Sequence, residues 1–324
     1  MKFLIAGAGA IGGYLGARMA QAGQDVTLFA RGPHLCAMQQ HGLRVIVADG
    51  DFEVRPRVIG NLEEAGPSDV IILGVKAHGL TQLAPQLQPL IGENTTVVST
   101  QNGIPWWYFQ SDAGELTGLH LDRVDPGGVI AASIPYRQVV ASLAYFATEI
   151  AEPGVIRHVE GNRLSLGEPD GTRSERAKAI SEVLIKAGIR CPVSQKIRTE
   201  IWVKILGNVA FNPISALTRA TLAQMAGDPE VRGVVREIMR EVEAVAAKLG
   251  IEMPISIDQR IAGAEKIGEH KTSMLQDLEA GRSMELEAVV GAAVELGERV
   301  GIPMPHTQTV YACTRLLERF TSRR

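Results

Sequence analysis

"KFLIAGAGAIGG", residues 2–13, decides the reading of the fold. A short strand-forming run leads into Gly7, Gly9 and Gly12, and a helical pattern follows. In such a unit the first glycine permits a tight turn, the second lets backbone approach a pyrophosphate, and the third allows the helix to lie close on the strand. The phosphate rests on the helix N-terminus, where unpaired backbone N–H groups point at it. Gly-x-Gly-x-x-Gly alone is weak, but between a strand and a helix at the chain start it is a dinucleotide signature. Gly7, Ala8, Gly9, Ala10, Ile11 and Gly12 are therefore the expected cofactor loop.

Working outward, "DVTLFAR", "DVIILGVK" and "TTVVSTQNG" repeat the β-rich character at intervals sized for helices. That alternation predicts an α/β fold, a Rossmann-type domain with a mostly parallel sheet buried on both faces. "GGVIAAS", "ASLAYFAT", "GVIRHV" and "NRLSLGE" read as later or edge strands, with "EPG" and "EGN" as turns too short for crossover helices. The stretch "GELTGLHLDRVDPGG" reads as a loop or short helical excursion. From about Ser174 the strand signal fades. "DPEVRGVVREIMREVEAVAAKLG" carries Asp228 as an N-cap, Pro229 in the first turn and Gly250 past the end, as helix geometry favours. The second half is expected to be all-α. A connector in "GIRCPVSQ" places the boundary so that residues 1–192 form the dinucleotide-binding Rossmann domain and residues 193–324 the helical substrate domain.

A length of 324 residues fits two domains better than one core. With 33 basic and 36 acidic residues the net charge is only -3, spread without blocks, which argues against nucleic acid or a membrane surface as partner. Three cysteines, Cys36, Cys191 and Cys313, lie far apart without ligand spacing, so neither a disulfide framework nor a metal site is expected. No apolar run approaches the roughly 18 residues of a membrane span. A cytoplasmic protein acting on a small molecule is the expectation.

The second strand ends "TLFAR", with Arg31 where an NAD-preferring chain would carry an acid for the ribose 2′-hydroxyl. A guanidinium suits a 2′-phosphate, so NADP(H) is the expected cofactor. Lys76 in "LGVKAHG" and Asn102 in "STQNG" fall where strands end, the edge at which open α/β sheets bind ligands.

"KILGNVAFN", residues 204–212, sets Lys204, Asn208 and Asn212 four residues apart, one polar stripe on a helix whose intervening residues are apolar. Burying such groups is costly without partners, so the stripe points to a ligand. Reduction of a ketone needs a proton donor as charge develops on oxygen, and a half-buried lysine qualifies. Asn208 and Asn212 can bond a hydroxyl or carboxylate. The competing reading is an i,i+4 ion pair between Glu200 and Lys204. Asn212-Pro213 marks a kink or helix end. In "HKTSMLQDLEAGRSMELEA", Ser273 can donate to a carboxylate and Glu285 can orient Lys204 or touch the nicotinamide ribose, although both residue types also serve as caps. His34, His78, His270 and His306 pair at no telling spacing.

"GAGAIGG", "VKAHG", "QNG", "WVKILGNVAFNP" and "KTSMLQDLEAGRSMELE", in this order along nearly the whole chain, resemble the ketopantoate reductase family. The resemblance implies a Rossmann domain and an α-helical domain, with NADPH reducing a 2-keto acid in a cleft between them on the route to pantothenate. It carries over Lys204 as general acid and Asn208, Asn212 and Ser273 as substrate ligands. Gly7 to Gly12, Arg31, Lys76, Asn102 and Glu285 would line the cofactor, with Asn102 also within reach of substrate. Three departures stand out. Met284-Glu285-Leu286-Glu287 replaces the family's frequent Thr-Glu-Ile-Asp, Leu222 lies where a further polar contact is common, and "IPWWYFQ" and Asp112 to Gly127 are longer than the family core requires. A reductase of another 2-keto acid and a non-catalytic NADP sensor are the alternatives, the second needing no Lys204 stripe. A homodimer is compatible with the helix from Asp228 to Leu249, which serves equally as core or interface.

Overall fold

The computed structural model describes residues 1–111 and 113–321; Asp112, the first residue of the segment singled out above, lies outside them. The chain packs as two compact units, the first made of 1–101, 107–118 and 128–197, the second of 102–106, 119–127 and 198–324.

The first unit is built on one sheet with nine strands among the described residues, in the order β4-β3-β9-β8-β7-β6-β1-β2-β5. The strands are β1 (Lys2–Ala6), β2 (Asp25–Phe29), β3 (Leu43–Ile46), β4 (Phe52–Val54), β5 (Arg57–Ile59), β6 (Val70–Leu73), β7 (Thr96–Ser99), β8 (Val139–Glu152) and β9 (Val155–Gly167). From β5 through β8 every neighbouring pair is parallel, whereas β8 with β9 and β3 with β4 are antiparallel. The β6 run Val-Ile-Ile-Leu and the β7 run Thr-Val-Val-Ser are buried throughout, as a parallel sheet covered on both faces demands. Chain order runs outward from β1 in two directions, to β2 on one side and to β6 and β7 on the other. That reversal is the topological switch point where such sheets bind ligands, at the carboxyl ends of the strands.

Helix α1 (Ala10–Gln21) follows β1, and its Tyr14, Leu15 and Met19 enter the core with Ile5, Leu28 and Ile156. Helices α2 (Gly32–His41) and α3 (Ala77–Leu87) follow β2 and β6. Two of the strand expectations need correction. "GGVIAAS" is not a strand: Gly127 and Gly128 both take positive φ and launch a short helix, α4 (Val129–Ser133). "EGN" is not a turn either, because β9 runs unbroken through it and Gly161, at φ 74°, takes up a register shift against β8 as a bulge. Helix α5 (Glu175–Lys186) closes the unit.

The second unit is helical, with α6 (Ile197–Thr218), α7 (Leu222–Gly227), α8 (Pro229–Lys248), α9 (Ile257–Ile267), α10 (Ser273–Glu279), α11 (Ala292–Val300) and α12 (Pro305–Thr321). Asp228 caps α8 by accepting from the N–H groups of Glu230 and Val231, and Gly250 beyond its end takes φ 73°. Pro213 neither ends nor divides α6, which continues to Thr218. Its missing N–H forfeits one bond of the ladder, and the burial of Phe211, Ile214 and Ala216 on the same helix offsets that loss. No helix among the described residues is long and apolar enough to cross a membrane.

Candidate active site

In the first unit close backbone packing shapes the glycine loop. Gly7 sits at φ 110°, and a Cβ there would lie 2.4 Å from Val75 Cγ1. At Gly12 a Cβ would meet the Gly7 carbonyl oxygen at 2.2 Å, so only glycine lets α1 approach β1 this closely. Gly9 differs: the nearest atom to a Cβ there is 4.0 Å away, leaving that face of the loop open. Gly9 is also the N-cap of α1, with no side chain capping the helix and no acid in its first turn. The free N–H groups and the dipole therefore suit a phosphate.

Arg31, exposed and extended at φ -137°, precedes α2 with its guanidinium over the Phe29 ring at 5.3 Å. Lys76 is half-buried and precedes α3 at the end of β6. Both thus stand at carboxyl ends of strands flanking β1.

In the second unit α6 carries Lys204 and Asn208, both half-buried, and Asn212, which is 7 % exposed. Lys204 is crowded enough by protein that its pKa falls to about 8, burial being the main cause and the Glu285 carboxylate opposing it. Glu285 in turn accepts from Asn102 Nδ2 at 3.0 Å. A small pocket lies beside these groups, lined by Asn102, Asn212, Ser273, Met274, Asp277, Glu285 and Val289. Four residues singled out in the sequence thus share one wall, although they come from positions as far apart as 102 and 285. Lys204 and Asn208 are not in that lining; Lys204 is linked to it through the charge of Glu285.

Ser273 opens α10 but is not its cap, since Thr272 accepts the Leu275 N–H. Glu285 precedes the helical turn that begins at Leu286. Leu222 begins α7, where its N–H bonds to the His270 carbonyl. His306 is tied to Glu241, which also caps the start of α12 through the His306 and Thr307 N–H groups.

Asp277 was not singled out in the sequence. It is one helical turn beyond Ser273 on α10 and therefore on the same face, a spacing visible in "SMLQD". It is 7 % exposed, and its carboxylate accepts from Arg282 Nε at 3.2 Å. Among the described residues no cluster of His, Cys, Asp or Glu could hold a metal ion.

Comparison with known proteins decides the family. Residues 3–171 match ketopantoate reductase PanE/ApbA and residues 196–318 match the ketopantoate reductase PanE/ApbA C terminal region. The chain belongs to the ketopantoate reductase family. A 2-dehydropantoate 2-reductase of Mesorhizobium japonicum is 51% identical over 319 residues, covering 98% of each chain. A Ralstonia solanacearum protein solved as a candidate ketopantoate reductase superposes with TM-score 0.94 at 38% identity, over 98% of each chain. The 2-dehydropantoate 2-reductase structure from Methylococcus capsulatus gives TM-score 0.83 at 32% identity, over 99% of this chain and 98% of that one. Ketopantoate reductase membership makes the chain an oxidoreductase with an N-terminal, mostly parallel sheet domain and a helical C-terminal domain.

Proposed function

We propose that this ketopantoate reductase family member reduces 2-dehydropantoate to pantoate with NADPH, with Lys204 as the general acid. The observation that carries the reading is Lys204 itself, an ammonium brought to a pKa of about 8 by burial and held charged by Glu285, on the same helix as two asparagines that no apolar core would retain. In this reading the first unit holds the cofactor and the second, to which Asn102 belongs, holds the substrate.

When bound, NADPH supplies a hydride to the ketone carbon. The Lys204 ammonium donates its proton to the ketone oxygen as negative charge builds there, and its own charge lowers the barrier before the proton moves. With a pKa of about 8 it is mostly protonated near neutrality, yet acidic enough to transfer. Glu285 opposes the effect of burial and keeps the donor loaded. Asn208, Asn212, Ser273 and Asn102 donate to the carboxylate and hydroxyl of the keto acid, which fixes the carbonyl against Lys204. Asp277, an acceptor, favours a substrate hydroxyl and disfavours a second carboxylate in the pocket.

Gly7 to Gly12 would hold the pyrophosphate of the cofactor, and Lys76, at the end of β6, would add a positive charge for it. Arg31 recognises the 2′-phosphate, supported by the absence of any acid at the end of β2. Arg31→Ala raises the KM for NADPH by roughly 10- to 100-fold, the worth of a charge-assisted contact, and leaves the KM for NADH unchanged. Steady-state titration with each cofactor reads the result, and equal losses for both would remove the 2′-phosphate role.

The deciding assay follows loss of NADPH absorbance with ketopantoate and with 2-keto acids lacking the 4-hydroxyl. A site built to bond that hydroxyl rejects the shorter analogues by large factors. The second reading is another 2-keto acid, the alternative that Leu222 raises in the sequence. Equal or better turnover of an apolar analogue would establish that reading instead.

A further inference from the structure

Glu287 stands two residues beyond Glu285, and two other segments hold it. Its carboxylate accepts from the Tyr311 hydroxyl at 2.9 and 2.7 Å and from Arg123 Nη1 at 2.9 Å. Arg123 belongs to residues 119–127, which pack with the helical unit. The backbone N–H groups of Asp122 and Arg123 donate to Glu295 at 3.0 and 2.9 Å, so this stretch is anchored on α11 as well. A Cβ at Gly291 would lie 2.7 Å from Glu287 Oε2 and 3.3 Å from the Tyr311 hydroxyl, so glycine is what lets the carboxylate fold back along its own helix.

Glu287 also opens a π-helical turn, Glu287–Gly291, in which the Ala292 N–H reaches back to the Glu287 carbonyl. Such turns give up regular helical geometry and concentrate at functional sites. Two site residues hang from this one. The Val289 N–H donates to the Glu285 carbonyl at 3.1 Å, and the Ala288 carbonyl accepts the Ile104 N–H at 3.4 Å. Gly103, at φ 86°, abuts that same carbonyl so closely that a Cβ would lie 2.0 Å from it. Asn102 and Glu285, which bond to each other, are therefore both registered on the turn that Glu287 begins. The Arg123–Glu287 pair is 43% and 41% exposed, and ion pairs that wet contribute little stability. Its worth lies in geometry.

We propose that Arg123, Glu287 and Tyr311 are positioning residues: they clamp the π-helical turn so that Glu285 keeps its carboxylate on Asn102 and toward Lys204. This rests on the reading of Lys204 as proton donor. The segment 119–127 gains a role as the strap that delivers Arg123. Glu287 reaches both partners from the start of the turn.

The test compares Glu287→Ala, Tyr311→Phe and Glu287→Gln with Arg236→Ala, which breaks an ion pair between α8 and α9 away from the site. Tyr311→Phe keeps the ring and removes only the hydroxyl, so the fold is retained. With NADPH and ketopantoate, Glu287→Ala and Tyr311→Phe lower kcat on the order of 10-fold, as a misplaced catalytic group does. Both move the alkaline limb of kcat/KM to lower pH, because a released Glu285 no longer opposes the burial of Lys204. Glu287→Gln, which keeps an acceptor oxygen for Tyr311, restores most of the loss, and Arg236→Ala changes neither quantity. Lower melting temperatures with wild-type kcat and an unmoved limb would overturn the clamp. Lys204→Ala is measured alongside: if it keeps turnover, the proton-donor reading fails and the clamp falls with it, whereas an inactive Lys204→Ala beside unaffected clamp variants refutes the clamp alone.

Discussion

Lys204→Met lowers kcat for ketopantoate reduction by roughly 10²- to 10⁴-fold, the contribution of a positioned general acid, and raises the stability of the fold at neutral pH. Both effects have one origin. Burial pushes the Lys204 pKa from 10.5 down to about 8, so the fold disfavours the charged amine that the chemistry uses. The unfolded chain binds this proton more tightly than the folded one between the two values, and stability therefore rises with pH across that window. Below about pH 8 the penalty is present in full, about 3 kcal/mol by the linkage relation. Methionine fills a similar volume without charge and removes the penalty. Denaturant titrations at about pH 7 should show the variant more stable than the parent, with the gap closing as the pH approaches the unfolded value. A less stable variant at neutral pH would mean that the amine is held by partners strong enough to outweigh its desolvation.

Gly12→Ala abolishes NADPH binding, a loss of 100-fold or more on the order of several charge-assisted contacts. The added methyl would sit 2.2 Å from the Gly7 carbonyl oxygen and 3.1 Å from Gly74 Cα, both backbone atoms that cannot rotate away. Relief requires α1 to move off β1 or the loop to shift, and either takes the first-turn N–H groups from the phosphate. Overpacking of this kind also costs about 1 to 3 kcal/mol of stability. Gly9→Ala is the paired control for the fold, since its Cβ meets nothing nearer than 4.0 Å, and it should lose cofactor affinity while keeping the parent's melting temperature. Calorimetric titration with NADPH separates the two. Undiminished NADPH affinity in Gly12→Ala would show that the loop is not the phosphate site.

The features legible in the sequence are those where local chemistry and tertiary demand agree. Gly7 and Gly12 announce a turn that only glycine can make, and Asp228, Pro229 and Gly250 delimit α8 through backbone rules that need no partner. Where the two levels differ, sequence reasoning goes astray. "GVIAAS" has the composition of a buried strand, and only the left-handed pair Gly127 and Gly128, which turn the chain into α4, makes it helical. "EGN" has the composition of a turn, but pairing with β8 along nearly its whole length carries β9 through it. The site follows the same logic. Lys204, Asn208 and Asn212 are visible as polar residues on an apolar helix. Asp277 hides among ordinary helical surface residues until α10 turns it toward Asn212 and Ser273. No local signal ties Arg123 to Glu287, since 164 residues separate them and only the packed unit brings them together.

The central claim, that Lys204 is the proton donor, is tested most directly by the pH dependence of kcat/KM for ketopantoate at saturating NADPH, between about pH 6 and pH 10. The account predicts an alkaline limb that falls with an apparent pKa near 8, as the buried amine loses its proton. A profile that stays flat to the top of that range would assign the proton to another group.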